Sequence, residues 1–239
     1  MISYLLNEMT NNEPELIDYV YLYWLLELFE RTERTTRANI KRIINSSHRE
    51  NYLLALEFTD KNLKDIGVAD RMKPLELDFN KFKSNKTDKL VDKQMGKFSQ
   101  QVKNQILNGL NTGNTKGVRD LFENTLKQEK KSYSTVSRLM RISRTENTQM
   151  RSKTKLEIQK LLLEQGIEVK RKWVHTLYNP MAIITDEYEP RLDHLAINGQ
   201  LEDDNGYFHT PLAKGKAPGM FGIPQEDINC RCDIDFVLK

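Results

Sequence analysis

Two cysteines one residue apart, Cys230 and Cys232, close a stretch that also holds His194 and His209, two of the four histidines of the chain. Sulfur and imidazole are ligands that suit Zn(II), and four of them would close a structural site. Cys230, Cys232, His194 and either His175 or His209 could form such a set. The spacing argues against it. Structural zinc ligands usually pair two to four residues apart on a tight knuckle, and here only Arg231 separates the sulfurs. A strand gives a simpler account, because Ile228, Cys230, Cys232, Ile234 and Phe236 fall on one face at period two. Cysteine then packs as a small hydrophobe, and no metal or cofactor is expected. Asn229 and Arg231 point the other way, which makes Arg231 a better functional contact than either thiol.

A hydrolytic centre is the second chemistry to weigh. His194 or His209 with Asp193, Asp203 or Asp204 could act as a general acid/base set or a metal nuclease centre. Asp203-Asp204-Asn205-Gly206 is read more simply as a turn, since Asp and Asn hydrogen-bond their own backbone there. The sequence holds no Gly-rich phosphate loop after a strand and no Gly-x-Ser-x-Gly elbow. Arg144 and Glu146 sit in a helical stretch two residues apart, so they cannot pair with each other. They are expected to anchor that helix to the C-terminal module through residues such as Asp193, His194 or Arg231.

The elements that must carry these residues are mainly helical. Pro14-Glu15 opens an apolar helix to about Phe29, which continues in polar form to Ile44. Asn45-Ser46-Ser47 is expected to break it before a short helix, His48–Phe58. Thr87 caps a helix to about Leu110, with Leu90, Phe98, Val102, Ile106 and Leu110 on one stripe. Another begins at Thr115 after a turn at 111–114, and a longer one runs from Ser134 to a C-terminal stop at Gly166. The period then changes to two over Ile167–His175, a strand. Tyr178–Glu189 reads as loop, Pro190–Ile197 as a short helix, Tyr207–His209 as a short strand, and Asp227–Leu238 as the last strand. The expected class is α+β, with long helices N-terminal and central and a small C-terminal module built on a short antiparallel sheet. The expected organisation is an N-terminal helical region (1–66), a linker (67–85), a basic helical region (86–133) and a C-terminal domain (134–239).

The net charge of +3 over 239 residues conceals a polarity. Residues 1–80 carry net −4, residues 81–172 net +13, and residues 173–239 net −6. A basic block between two acidic ones suits a polyanionic partner or a solvated helical face. Ile17–Phe29 is the most apolar run and is too short to span a bilayer, which needs about 20 residues. Met1–Thr10 has no basic region or cleavage site of a secretory signal. Cys-x-Cys does not suggest a disulfide scaffold, so a reducing cytosol is expected.

Arg144-Thr145-Glu146, Trp173, Arg191-x-Asp193-His194, Asn198-Gly199-Gln200, Phe208 and Asn229-Cys230-Arg231-Cys232 occur in that order. Together they resemble the Mu-F-like phage head morphogenesis, or minor head protein, family over about 134–239. Asp193 stands where that family usually has a second arginine. The resemblance implies a non-enzymatic virion component, made in the host cytoplasm and held inside the capsid. It implies association with a portal protein and with the major capsid or scaffolding protein, no membrane during assembly, and contact with double-stranded DNA without sequence preference. Candidate phosphate contacts are Lys93, Lys97, Lys103, Lys116, Arg119, Lys127, Lys130, Lys131, Arg138, Arg151, Lys153 and Lys155. Tyr19, Tyr23, Trp24 and Phe29 are the candidate docking face for a protein partner. The alternative is a metal-dependent nuclease or toxin-like enzyme centred on His194, His209, Cys230 and Cys232.

Overall fold

A computed structural model of the chain describes residues 19–75, 77–82, 85–112, 120, 124, 135–178 and 192–239. The chain is α+β. Three long helices, α1 (Tyr19–Asp65), α2 (Asn85–Thr112) and α3 (Thr135–Glu164), precede the short elements of the C-terminal part. These are β1 (Val169–Val174), α4 (Leu192–Ala196), β2 (Phe208–His209), β3 (Lys214–Gly215), α5 (Pro224–Asp227) and β4 (Asp233–Leu238). The helix expected from Thr115 lies outside the described residues. Among the described residues, no helix is long and apolar enough to cross a membrane.

The expected break at Asn45-Ser46-Ser47 does not occur, and α1 runs through it for 47 residues. Ile44, His48, Tyr52, Ala55, Thr59 and Leu63 are buried at steps of three and four, one continuous helical face. That burial outweighs the weak turn preference of Asn and Ser. The polar groups are also employed: Asn51 Nδ2 donates to the Ser47 carbonyl at 2.9 Å, and Asn147 Nδ2 donates to Ser47 Oγ at 2.8 Å.

The chain forms two compact units that interleave along the sequence, 1–44 with 85–140 and 45–84 with 141–239. In the first, Ile44, Val91, Met95 and Leu139 form a small core, and Ile40 packs on it. Ion pairs join the helices: Lys41–Asp92 at 2.7 Å and Lys103–Glu30 at 2.7 Å. The pairing of 41 with 92 and of 30 with 103 makes α1 and α2 antiparallel there. The buried stripe of α2 is Val91, Met95, Ser99, Val102 and Ile106, which shifts it by one residue from the expected Leu90 and Phe98.

In the second unit β1 and β4 pair antiparallel, from Val169 opposite Leu238 to Val174 opposite Asp233. Leu63, Val68, Ile158, Leu162, Ile167, Val169 and Phe236 form the core beneath them. Met72, Leu75 and Leu77, from the expected linker, pack against that core. Tyr52 holds the same segment, donating to the Leu77 carbonyl at 3.0 Å and meeting the Phe79 ring at 5.3 Å. The free side of β4 is covered by the Asn62 amide, which accepts from Phe236 N–H at 2.7 Å and donates to its carbonyl at 3.2 Å. Such cover removes an open strand edge.

The exit from α3 is sharp, as the sequence predicts. Gly166 has φ +73°. Its N–H reaches the Leu163 carbonyl, and the Ile167 N–H reaches that of Leu162. This is the double bond of a Schellman stop, and it sets the chain directly into β1.

Candidate functional site

The site is built on four segments of the second unit: β1, α4, α5 and the loop 228–232 before β4. The last strand is shorter than period two suggested. Pro224–Asp227 is a helical turn with Pro at its start, and regular β4 begins only at Asp233. The cause is Asn229, which has φ +60°. Asn tolerates this left-handed conformation better than most side chains, and it re-aims both cysteines.

Helix α3 fixes that loop with a polar stripe. Asn229 N–H donates to Thr145 Oγ1 at 2.9 Å, and Thr148 Oγ1 donates to the Cys230 carbonyl at 2.6 Å. Ser152 Oγ donates to the Pro218 carbonyl at 2.8 Å, and Lys155 Nζ to that of Ile234 at 2.6 Å. Positions 145, 148, 152 and 155 follow helical spacing, and that stripe was the available signal for this anchoring face. Glu146 is buried on the same helix, and Thr145, Thr148, Ser152 and Lys155 make the anchoring hydrogen bonds described above.

Cys230 and Cys232 are buried, as expected, and neither is in a disulfide. His194 joins them: its Nδ1 lies 3.6 Å from Cys230 Sγ and 3.7 Å from Cys232 Sγ. Behind it, Nε2 is 2.5 Å from Glu226 Oε2, and both side chains are fully buried. The other oxygen of Glu226 accepts from Thr210 Oγ1 at 3.1 Å. An ionised carboxylate can only accept, so it takes a proton from Nε2 and leaves Nδ1 of the neutral ring facing the sulfurs. Trp173 meets the imidazole edge-on at 5.3 Å, and Phe221 stacks on it at 6.0 Å. Phe208 meets Trp173 edge-on at 5.3 Å and completes the wall with Ile197, Ala217 and Ile234.

Burial pushes the Cys232 thiol up, while hydrogen bonds from Cys230 and His194, with the positive charge that the imidazole carries once Nδ1 is protonated as well, bring it down to about 5. Thr176 Oγ1, 3.6 Å from Cys232 Sγ, adds a further polar contact.

The structure thus unites three of the four residues named for a metal or enzyme centre. His209 is apart from them: it is exposed and pairs with Asp203 at 2.8 Å. That pair holds the Asp203 carboxyl below its usual range, first through the His209 hydrogen bond and then through the Tyr207 N–H. Asp203 also accepts from Asn205 N–H, so 203–206 is the expected turn, with Gly206 at φ +77°. His175 is buried, and its N–H donates to Asn198 Oδ1 at 2.8 Å. Arg231 is buried too, which corrects its assignment as an outward contact.

Several site residues escaped the sequence reading. Glu226, Phe221 and Asp227 are the main ones. Asp227 accepts from the N–H groups of Phe221 and Gly222 at 2.7 and 2.8 Å and so shapes the loop over His194. An acidic pair between Ile223 and Ile228 was the one hint.

Two of the proposed phosphate contacts are buried. Arg151 and Lys155 are buried around Asp233, with Lys155 Nζ 3.1 Å and Arg151 Nε 3.7 Å from its oxygens. They are corrected from DNA contacts to core ions. Lys103 is tied to Glu30, Lys153 is half-buried, and Lys93, Lys97 and Arg138 are exposed. Lys116, Arg119, Lys127, Lys130 and Lys131 lie outside the described residues. The side chains of Tyr19, Tyr23 and Trp24 do as well. Phe29 is fully buried, so it is not a docking residue.

A groove of about 470 Å³ is lined by α3, β1 and the 202–206 turn. Lys160, Lys170 and Lys239 line it with Glu168, Asp203 and Asp204, and its floor is the buried pair Arg171–Glu202. Arg171 Nε donates to Glu202 Oε2 at 2.7 Å, and Gln159 Nε2 donates to Oε1 at 2.6 Å.

Comparison with known proteins bears on this arrangement. The chain is 29% identical over 144 residues to NAD(+)–arginine ADP-ribosyltransferase EFV of Enterococcus faecalis (strain ATCC 700802 / V583). The match takes in 60% of this chain and 27% of that protein, so the chain spans about a quarter of the relative's length. No family model matches the chain, and no solved structure matches it.

These findings overturn the resemblance to the phage head morphogenesis family, and with it the reading as a non-enzymatic minor head protein of the virion. No such family model matches, and the similar protein is named as an enzyme. The motif pieces have a structural explanation instead. Trp173, Phe208, Cys230 and Cys232 are one buried core, and the Asn198-Gly199-Gln200 segment is the turn that pairs with Trp173 through Gly199 N–H and the Gln200 carbonyl.

Proposed function

We propose that this chain is a toxin-like enzyme of the class that transfers ADP-ribose from NAD+ to arginine, and that the groove beside β1 receives the dinucleotide. The 144-residue similarity carries this reading, and the chemistry of the groove supports it. Its volume of about 470 Å³ is within the usual range for a small-molecule site, about 300–1,000 Å³. Lys170 and Lys239 pair with Asp204 and Glu168 at 3.2 and 2.8 Å, and with Lys160 these ammonium groups would turn to a diphosphate. Glu168, Asp203 and Asp204 offer carboxylates to the cationic nicotinamide ring and to an incoming guanidinium.

In the transfer, the bond from ribose C1′ to the nicotinamide nitrogen breaks and nicotinamide leaves neutral. A guanidine nitrogen of arginine forms the new bond to C1′ and gives up a proton. A carboxylate placed against the developing positive charge on C1′ stabilises that transition state and takes the proton. The buried His194 cluster has no such access to substrate, so its part in this enzyme is to hold the module that bears the groove.

The test is nicotinamide release from NAD+ by the full natural chain, with agmatine as a soluble guanidine acceptor. Release that depends on acceptor and falls about tenfold or more in Lys160→Ala/Lys170→Ala is expected, the loss of about 1.4 kcal/mol of transition-state binding. Release no faster than in buffer, from protein with native circular dichroism, would defeat the proposal.

A further inference from the structure

The structure assigns His194, Cys230 and Cys232 as the protein ligands of one thiophilic divalent cation, zinc by its chemistry, with Glu226 as the carboxylate behind the histidine. The inference does not depend on the transferase reading. Three observations carry it.

The first is distance. With Zn–S about 2.3 Å and Zn–N about 2.0–2.1 Å, a tetrahedral ion separates a sulfur from a nitrogen ligand by about 3.6 Å. Nδ1 of His194 lies 3.6 and 3.7 Å from the two sulfurs. All three ligand atoms are within 4.8 Å of one another.

The second is the tautomer. Nε2 of His194 lies 2.5 Å from Glu226, and a carboxylate that takes its proton from Nε2 leaves Nδ1 as the bare nitrogen on the side of the sulfurs. A carboxylate behind a ligating histidine is the usual outer arrangement of protein zinc sites. Glu226 is itself fully buried, and a buried carboxylate needs such a use.

The third is the backbone. A regular strand would set the Cα atoms of Cys230 and Cys232 on one face about 7 Å apart, whereas Asn229 has φ +60° and regular strand begins only at Asp233. The cysteines converge on His194 although only one residue separates them, which replaces the wider knuckle spacing that their sequence lacks. The thiolate is the form that ligates, so binding of the ion releases the thiol protons. The fourth position belongs to a small donor such as water. The ion would fasten α4, α5 and the loop 228–232 together.

The test uses the full chain, purified without added metal. About one zinc per chain by elemental mass spectrometry is expected. After exchange, Co(II) should give thiolate-to-cobalt charge-transfer absorption and the intense visible bands of a tetrahedral site. Cys232→Ser should weaken that charge-transfer band, whereas His209→Ala should leave metal content unchanged. Glu226→Gln keeps all three ligands and should weaken zinc about 10–100-fold, with the cobalt band positions retained.

A folded chain without zinc that shows no cobalt charge transfer would overturn the assignment. A Cys230–Cys232 disulfide found by mass spectrometry in protein kept under reducing conditions would do the same. If Cys232→Ser fails to fold, the wild-type cobalt spectrum and the Glu226→Gln affinity still decide. Nicotinamide release and metal content are separate readouts, so either reading can fail alone.

Discussion

Asp233 is the residue whose removal should damage the second unit most. Its side chain is buried, and so are the two cations beside it, Lys155 at 3.1 Å and Arg151 at 3.7 Å. At an effective dielectric of about 20, those separations correspond to attractions of roughly 5 and 4 kcal/mol. Desolvation of three ions offsets much of that, at several kcal/mol each. The net worth of the cluster is therefore small, while its one-sided disruption is expensive. In Asp233→Ala, Lys155 keeps only the Ile234 carbonyl at 2.6 Å and its attraction to Asp235. Arg151 keeps Asn51 Oδ1 at 2.7 Å. Two buried cations then face each other without their shared anion, and the expected loss is about 3–5 kcal/mol. Lys155→Met should cost less, about 1–3 kcal/mol, because Asp233 retains Arg151 and methionine fills the same tunnel. The triple variant Arg151→Met/Lys155→Met/Asp233→Leu should recover most of the loss. Urea unfolding followed by circular dichroism reads all three, with the slope of each transition checked for constancy. A loss below about 1 kcal/mol for Asp233→Ala would show that these ions sit in water, and the reasoning would fall.

Two further outcomes follow from local geometry. Gly215→Ala places a methyl carbon 2.6 Å from Phe221 Cγ, and Phe221 cannot retreat because it stacks on His194 and meets Trp173 at 5.8 Å. A loss of about 1–3 kcal/mol is expected, with much of it absent when Phe221→Ala is already in place; equal losses in both backgrounds would contradict the contact. Asp235, opposite Lys172 on β1, has its carboxyl raised above the usual range, first by burial and also by Asp233, against the pull of Lys155 and Lys172. A raised folded value means that stability is fully present below the unfolded pKa, about 3.9, and is lost as pH rises through the folded one. Asp235→Asn should therefore raise the melting temperature at pH 7 and lose that advantage by about pH 3.5. A lower melting temperature than wild type at pH 7 would reverse the assignment.

The fold was legible wherever local chemistry and burial agreed. Gly166 stops α3 because a left-handed residue was needed there, and glycine supplied it. The turn at 203–206 formed for a similarly local reason, the Asp203 carboxylate accepting from its own downstream N–H groups. The break expected at Asn45-Ser46-Ser47 failed because its evidence was propensity alone. The buried face of Ile44, His48, Tyr52 and Ala55 is a tertiary fact, and it decided the matter. Likewise the run 67–85 reads as linker by composition, yet Met72, Leu75 and Leu77 are packed on a core assembled from α1, α3 and both long strands.

The cysteines show the limit most clearly. Burial was read correctly from the apolar neighbours of Cys230 and Cys232, but period two required every residue from 228 to 236 to be extended. One residue, Asn229, breaks that requirement with a positive φ. Its conformation is held from outside the segment, by Thr145 Oγ1 on α3 receiving the Asn229 N–H. Thr148, one turn on, gives a proton to the Cys230 carbonyl and accepts one from Arg151 Nη2. A helix more than 80 residues upstream thus sets the direction of both sulfurs, and no reading of 228–232 by itself could supply that. The same helix carries Lys155 to Asp233 and Gln159 to Glu202. One face of α3 therefore positions the thiol cluster, the buried ion cluster and the floor of the groove, so a substitution on that face should move all three together.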